Sequence, residues 1–374
     1  MLKLLYFELK ELAEYIRNTN EKVYIYGAGM IGRIVIPDFL KKYEIEGYVK
    51  AYIDIEPQKH GIYINIGNSK IMIHSTDYLN TVDRDGLIII TNSHYSPIVE
   101  LLDTMKNLDG VDAVIFPVLQ TQQLKKQNLL SMYGVVKDYS KELIPKVIHY
   151  CWFSGKDMPD YLKRCVDSWY RFCSDYEIKR WDESNYDVSK NLYMKQAYEA
   201  KKWGFVPDYA RLDILYNYGG FYLDTDVELI KPLDSLRGQG AFCGVEKWGN
   251  INLGGCSGAI KHHPMLKKLL DYRKNIAFIR DDGTFNLETC GVYETKPFIE
   301  NGMTVDNTVQ RINGMTVCAS EYFHPYDYMS GETNITDNTY SIHHFNGGWL
   351  DEKRKEERRK TVQAYEKILK RMQV

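Results

Sequence analysis

Phe205-Val-Pro-Asp208-Tyr-Ala-Arg211-Leu-Asp213-Ile-Leu-Tyr-Asn-Tyr-Gly219-Gly220-Phe-Tyr222-Leu-Asp224-Thr-Asp226-Val-Glu228 is the stretch on which the fold of the chain turns. Its first half reads as a helix with Asp208 and Arg211 on neighbouring positions, and the Gly-Gly pair ends that helix. A short apolar strand, Phe221–Leu223, follows and delivers Asp224 and Asp226. In extended backbone, residues two apart project to one side, so both carboxylates converge on one point at a strand terminus. Solvated turn aspartates produce the same D-x-D pattern, but the preceding strand and charged helix make an accidental pair less plausible. Two oxygen ligands without a thiol or imidazole beside them suit a hard divalent cation, Mg²⁺ or Mn²⁺, of the kind that accompanies a substrate diphosphate.

Outward from this stretch, a second domain begins with the strand Lys146–Trp152 and runs over residues 143–350, with helical patterns at Asp160–Phe172 and Tyr198–Leu215 and a strand at Ala241–Gly244. Residues 121–142 are polar and lose periodicity, which reads as a linker. Ahead of it, residues 1–120 open with an amphipathic helical segment. Strands Val23–Tyr26, Val49–Asp54, Leu87–Thr91 and Ala113–Phe116 then alternate with helical stretches Ile31–Tyr43 and Pro97–Leu108. Such alternation implies βαβ units and a parallel sheet. The tail, 351–374, carries nine basic and five acidic residues with apolar positions at helical spacing, a terminal helix docked on the second domain. A peripheral membrane contact is the rival role for its basic face.

The first domain contains a complete G-x-G-x-x-G, Gly27-Ala-Gly29-Met-Ile-Gly32, between a strand and a helix, with Asp54 closing the next strand. These residues allow a phosphate to approach a helix N-terminus and an acid to meet a ribose hydroxyl. An unidentified nucleotide is the expected ligand; close strand–helix packing accounts for the glycines equally well. No Tyr-x-x-x-Lys or Cys–His constellation stands nearby.

Forty-eight basic against 50 acidic residues give a net charge of −2, which argues against a nucleic-acid groove. Apolar residues at 44% and charged at 26% describe a folded chain. No apolar run approaches the ~20 residues of a membrane span, and the N-terminus lacks a signal-peptide cleavage pattern. The expected location is the cytoplasm, at the inner face of the cell membrane if the tail engages lipid. Seven scattered cysteines, with no C-x-x-C, read as reduced thiols. The 30 tyrosines suit sugar rings as well as cores.

Three segments taken together resemble glycosyltransferase family 32, the DXD sugar-binding enzymes of bacterial capsule loci and yeast mannosyl transfer: Ile144-Pro-Lys-Val-Ile-His149-Tyr-Cys-Trp152-Phe-Ser-Gly155, the Asp208–Asp226 stretch, and Ser341-Ile-His343-His344-Phe-Asn-Gly-Gly-Trp349. The resemblance covers roughly residues 144–350. It implies an α/β chain in which a GT-A nucleotide-sugar transferase domain follows a smaller Rossmann-like parallel-sheet domain. It further implies a metal-dependent retaining transferase that moves a sugar from a nucleotide-diphosphate donor, UDP-sugar favoured, to a glycan or lipid-linked acceptor in bacterial surface polysaccharide synthesis. By the same resemblance Trp152 stacks on the donor base and Tyr222 lies near the ribose or sugar. Asp208 and Arg211 contact sugar hydroxyls and the diphosphate, Asn252 closes the sugar pocket and Trp349 covers the diphosphate. Asp224, Asp226 and His344 hold Mn²⁺ or Mg²⁺; His343 is separated from His344 only by strand alternation. The family places a serine before its terminal tryptophan. Here Asn346-Gly347-Gly348 intervenes, leaving backbone N–H groups to take its place.

A haloacid-dehalogenase phosphatase also uses D-x-D, but wants Thr or Val where Glu228 stands. Two other classes are a regulatory protein with an inactive transferase domain, which would hydrolyse no donor, and a nucleotide-sugar oxidoreductase using Gly27–Gly32, which would carry a bound dinucleotide.

Overall fold

The structure, a computed structural model, describes residues 1–82, 85–127, 140–347, 350 and 352–373. The chain divides into two compact units. One comprises Met1–Ser131, Tyr328–Gly331 and Asp351–Val374; the other comprises Met132–Asp327 and Glu332–Leu350. Both are α/β, the class expected.

The first unit is built on β1 (Lys3–Leu4), β2 (Lys22–Tyr26), β3 (Val49–Ile53), β4 (Tyr63–Ile66), β5 (Ser69–His74), β6 (Gly86–Ile90) and β7 (Asp112–Ile115). They lie in the order β1-β7-β6-β2-β3-β5-β4, and all neighbours are parallel except β4 against β5. The central strands are near-continuous Val/Ile/Leu/Tyr runs because parallel strands are covered on both faces; all five residues of β6 are buried. Helices α1 (Leu9–Thr19), α2 (Ile36–Lys42), α3 (Ser96–Thr104) and α4 (Phe116–Gln127) complete the alternation. Helix α4 takes up residues 121–127 of the expected linker, and Thr121 is buried there. Residues 128–139 of that linker lie outside the described residues.

The second unit opens with β8 (Val147–Cys151), α5 (Asp160–Phe172), β9 (Glu177–Trp181), α6 (Leu192–Glu199), α7 (Pro207–Tyr218), β10 (Gly220–Tyr222) and β11 (Val227–Leu229). It continues with β12 (Ala241–Val245), β13 (Ile251–Asn252), β14 (Ser257–Ala259), α8 (Pro264–Arg273), α9 (Cys290–Glu300), β15 (Gln310–Ile312), β16 (Met315–Cys318), α10 (Ser320–Phe323), β17 (Tyr326–Asp327), β18 (Glu332–Thr333) and β19 (Ser341–His343). The mixed sheet runs β15-β16-β12-β14-β10-β8-β9, with β13 paired to β12. Strands β11 and β19 form a separate antiparallel pair.

Two local expectations need correction, the long helix and the docking of the tail, while the Gly-Gly helix end stands as read. The helix read over Tyr198–Leu215 is two helices: Lys201 adopts φ 57°, and Pro207, which donates no N–H, starts α7. The Gly-Gly turn is strict, because Gly219 and Gly220 have φ 66° and 97°. A Cβ on Gly220 would also lie 2.8 Å from the Val147 carbonyl oxygen. The terminal helix α11 (Glu352–Arg371) packs on the first unit rather than the second. There Arg371 pairs with Asp103 at 2.6 Å and the Tyr365 hydroxyl accepts the Gln122 amide at 2.9 Å. No helix among the described residues is long and apolar enough to cross a membrane.

Candidate active site

Asp224 and Asp226 leave β10 in a turn, not in extended backbone. The N–H of Val227 donates to the Asp224 carbonyl at 3.0 Å, and the chain doubles back into β11. The carboxylates converge, but by the turn rather than by strand alternation. Helix α5 fixes where that turn ends: Trp169 Nε1 donates to the Val227 carbonyl at 2.8 Å and Ser168 Oγ accepts the Leu229 N–H at 2.8 Å. Both helix residues are buried, so β11 cannot shift without orphaning polar groups.

The pairing of β11 with β19 sets Val227 opposite His343. Ligand atoms of Asp224, Asp226 and His343 thereby lie within 4.8 Å of one another. His343 is buried, with Nε2 3.4 Å from Asp226 Oδ1 and its ring stacked on Phe345 at 4.1 Å. His344, the residue assigned to the metal by resemblance, is turned out. Its Nε2 meets Glu228 Oε2 at 3.0 Å, and only its backbone N–H touches the site, donating to the Asp226 carbonyl. Alternation along an extended segment sends one of two adjacent side chains inward, and here it is His343. Burial opposes charge on Asp226, yet His343 and the Asn346 N–H, 2.9 Å from Oδ2, hold its carboxyl down to about 2. Burial lowers and Asp226 raises the His343 pKa, and the carboxylate prevails. The backbone N–H that follows the terminal histidines thus serves Asp226.

Behind this triad lies a buried ion cluster. Arg211 Nη2 donates to Asp208 Oδ1 at 2.9 Å, and Arg273 Nη2 stands 3.3 Å from Asp208 Oδ2 while its guanidinium lies between the rings of Tyr193 and Tyr293. Arg211 Nη1 faces Asp224 Oδ2 at 3.8 Å and Glu294 Oε1 at 3.7 Å. Burial pushes the Asp208 carboxyl up despite the two arginines, and pushes Glu294 up to about 7. Arg211 Nη1, both Arg273 Nη atoms and Glu294 Oε1 are buried without a hydrogen-bond partner. Tyr222 is fully buried and donates to Asp224 Oδ1 at 3.0 Å, with Arg211 over its ring. Asn252 bridges Glu246 Oε1 and the Gly254 N–H at 2.9 and 2.8 Å, and the Gly254 carbonyl accepts the Asp224 N–H at 2.8 Å. Only glycine fits at 254, because a Cβ would lie 2.0 Å from Asp224 Oδ2.

Trp152 follows directly on β8 and is half-buried, its Nε1 donating to the Lys156 carbonyl at 2.7 Å. Trp349 lies outside the described residues. Arg273, Glu294 and Glu246 were not found from sequence. They sit in no motif, and only the packing of α8, α9 and β12 brings them near Asp208 and Asn252.

In the first unit, Gly27 has φ 109° and a Cβ on Gly32 would strike the Gly27 carbonyl oxygen at 2.0 Å, whereas Gly29 faces open space. Asp54 Oδ2 accepts the Ala28 N–H at 2.7 Å and Lys59 Nζ at 3.1 Å, and Oδ1 accepts the Glu56 N–H at 2.9 Å. The carboxylate expected at a ribose is therefore already engaged, by the glycine loop through Ala28 and by its own loop through Glu56 and Lys59.

Two carboxylates and one imidazole form a hard-to-borderline donor set that fits Mn²⁺, and Mg²⁺ less well because of the nitrogen. A family described as "Glycosyltransferase sugar-binding region containing DXD motif" matches residues 159–243. An uncharacterised glycosyltransferase of Acanthamoeba polyphaga mimivirus, L373, is 28% identical over 196 residues, 49% of this chain and 74% of its own length. Inositol phosphoceramide mannosyltransferase 1 of Schizosaccharomyces pombe is 30% identical over 128 residues, 30% of this chain and 39% of that protein. A solved PaToxG glycosyltransferase superposes with a TM-score of 0.35 at 19% identity, over 48% of this chain and 78% of that one, too loosely to bear on the fold. The DXD match spans α5 into β12 and encloses the Asp224–Asp226 turn, and with these relatives it supports a transferase of the glycosyltransferase kind.

Proposed function

We propose that the protein transfers a sugar from a nucleotide-diphosphate donor, UDP-sugar favoured, to a glycan or lipid-linked acceptor with retention of configuration. Asp224, Asp226 and His343 would hold Mn²⁺ or Mg²⁺. The observation that carries this reading is the convergence of these three side chains, from two distant segments, beside a buried arginine pair. A dication bound there supplies Lewis-acid neutralisation of charge growing on the departing diphosphate. Arg211, already desolvated, adds a fixed positive charge on the same side.

Asp208 is a poor nucleophile, since both oxygens face guanidinium groups. Same-face attack by the acceptor hydroxyl is the route we favour over a carboxylate nucleophile such as Glu288, with an oxocarbenium-like sugar. The resemblance favours bacterial surface polysaccharide as the acceptor, made at the cytoplasmic face of the membrane. The name of the yeast relative keeps a lipid-linked acceptor beside it.

The test is a panel of UDP- and GDP-sugars with Mn²⁺ and no acceptor, reading slow donor hydrolysis. One donor should be turned over, chelation should stop it, and Asp226→Asn should lower the rate about a hundredfold or more while the thermal midpoint holds. Hydrolysis that survives chelation, or a glycosyl adduct trapped on Asp208, would overturn the reading.

A further inference from the structure

Glu294 lies on α9, is 2% exposed and belongs to no motif. Its Oε2 accepts the Leu253 N–H at 3.0 Å. Its Oε1 and Arg211 Nη1 both lack a hydrogen-bond partner although they stand only 3.7 Å apart. Asp224 Oδ2 lies 3.8 Å from the same Nη1. One guanidinium nitrogen is thus suspended between two carboxylates at nearly equal distance, one of them a candidate metal ligand. A charge-assisted hydrogen bond closes at roughly 2.8 Å, so a shift of about 1 Å either way would commit Arg211 to one partner.

We propose that Glu294 is a positioning residue that restrains Arg211 from closing on Asp224, so that Asp224 remains available to a divalent cation. The inference deepens the cation reading above and rests on it. Two routes carry the restraint. Directly, the Glu294 carboxylate offsets the pull of Asp224 on Nη1 within a region of low dielectric, where competing charges act strongly. Indirectly, Glu294 pins Leu253, and the adjoining Gly254 carbonyl accepts the Asp224 N–H at 2.8 Å. Replacing Glu294 by glutamine keeps an oxygen for Leu253 and removes the charge. Arg211, already held to Asp208 through Nη2, then has Asp224 as the remaining anion within 4 Å of Nη1.

The test is calorimetric titration of the full chain with Mn²⁺ alone, at a pH of about 8 where glutamate is ionised even when its pKa is raised to about 7. Glu294→Gln should weaken Mn²⁺ binding about tenfold, and Glu294→Asp less. Donor hydrolysis by Glu294→Gln should recover at saturating Mn²⁺, which a purely structural lesion would not allow. In an Arg211→Gln/Glu294→Gln double variant the capturing guanidinium is gone, and Mn²⁺ affinity should return toward that of the wild type. Unchanged affinity in Glu294→Gln, or a double variant as weak as the single one, overturns the inference. A wild-type chain that binds no Mn²⁺ would sink the cation reading itself.

Discussion

At the scale of single residues, the two adjacent histidines divide sharply in environment. His343 is buried against Asp226 and Phe345, whereas His344 is half-exposed and paired with Glu228. Exposed pairs of the second kind contribute roughly 0–1 kcal/mol. His343→Ala should therefore weaken Mn²⁺ binding about tenfold or more, while His344→Ala should leave binding and donor hydrolysis within about twofold. Equal losses in the two variants, read by metal titration, would show that the assignment between them is wrong. The sequence supplied the pair but not the choice, because alternation has two phases and nothing within the segment selects one.

At the scale of elements, the α7–β10 junction is held by a histidine that was not in the candidate site. His149 on β8 donates from Nε2 to the Gly219 carbonyl at 2.9 Å and accepts Trp181 Nε1 at Nδ1, 3.1 Å. Protonating Nδ1 would set two donors against each other, and burial pushes its pKa down to about 4 from 6.5. Between those values the unfolded chain takes up a proton that the folded chain refuses, so stability falls as pH drops through that window. The loss amounts to roughly 3 kcal/mol once pH is below about 4. Denaturant titrations across this range should show a steeper decline for wild type than for His149→Gln, which is less stable near neutrality but cannot titrate. Parallel slopes would remove His149 as the acid-sensitive group.

At the scale of the whole molecule, two units carry separate cores, and α11 is part of the first. Tyr365 is 3% exposed there, with its hydroxyl on Gln122. Tyr365→Ala should cost the first unit about 3–4 kcal/mol, as large-to-small core substitutions do. The expected calorimetric outcome is a lowered first transition with the second unmoved, and donor hydrolysis retained below that transition. A single transition that shifts as a whole would show that the units unfold together. The fate of the G-x-G-x-x-G loop belongs to this scale too. Gly27 and Gly32 answer to packing, and Asp54 ties the glycine loop, through the Ala28 N–H, to its own loop, through Lys59 and Glu56.

Strands β2, β3, β6 and β7 of the first sheet, the helix Asp160–Phe172 and the D-x-D pair were determined by sequence alone, because apolar periodicity and glycine backbone freedom act over a few neighbours, whereas β1, β4 and β5 were not read from it. The turn that aims Asp224 and Asp226, the selection of His343, and the Arg273–Asp208–Arg211–Glu294 cluster were decided only by tertiary structure. Those groups come from segments far apart in the chain, and whether a charge is buried, shared or released depends on what packs against it.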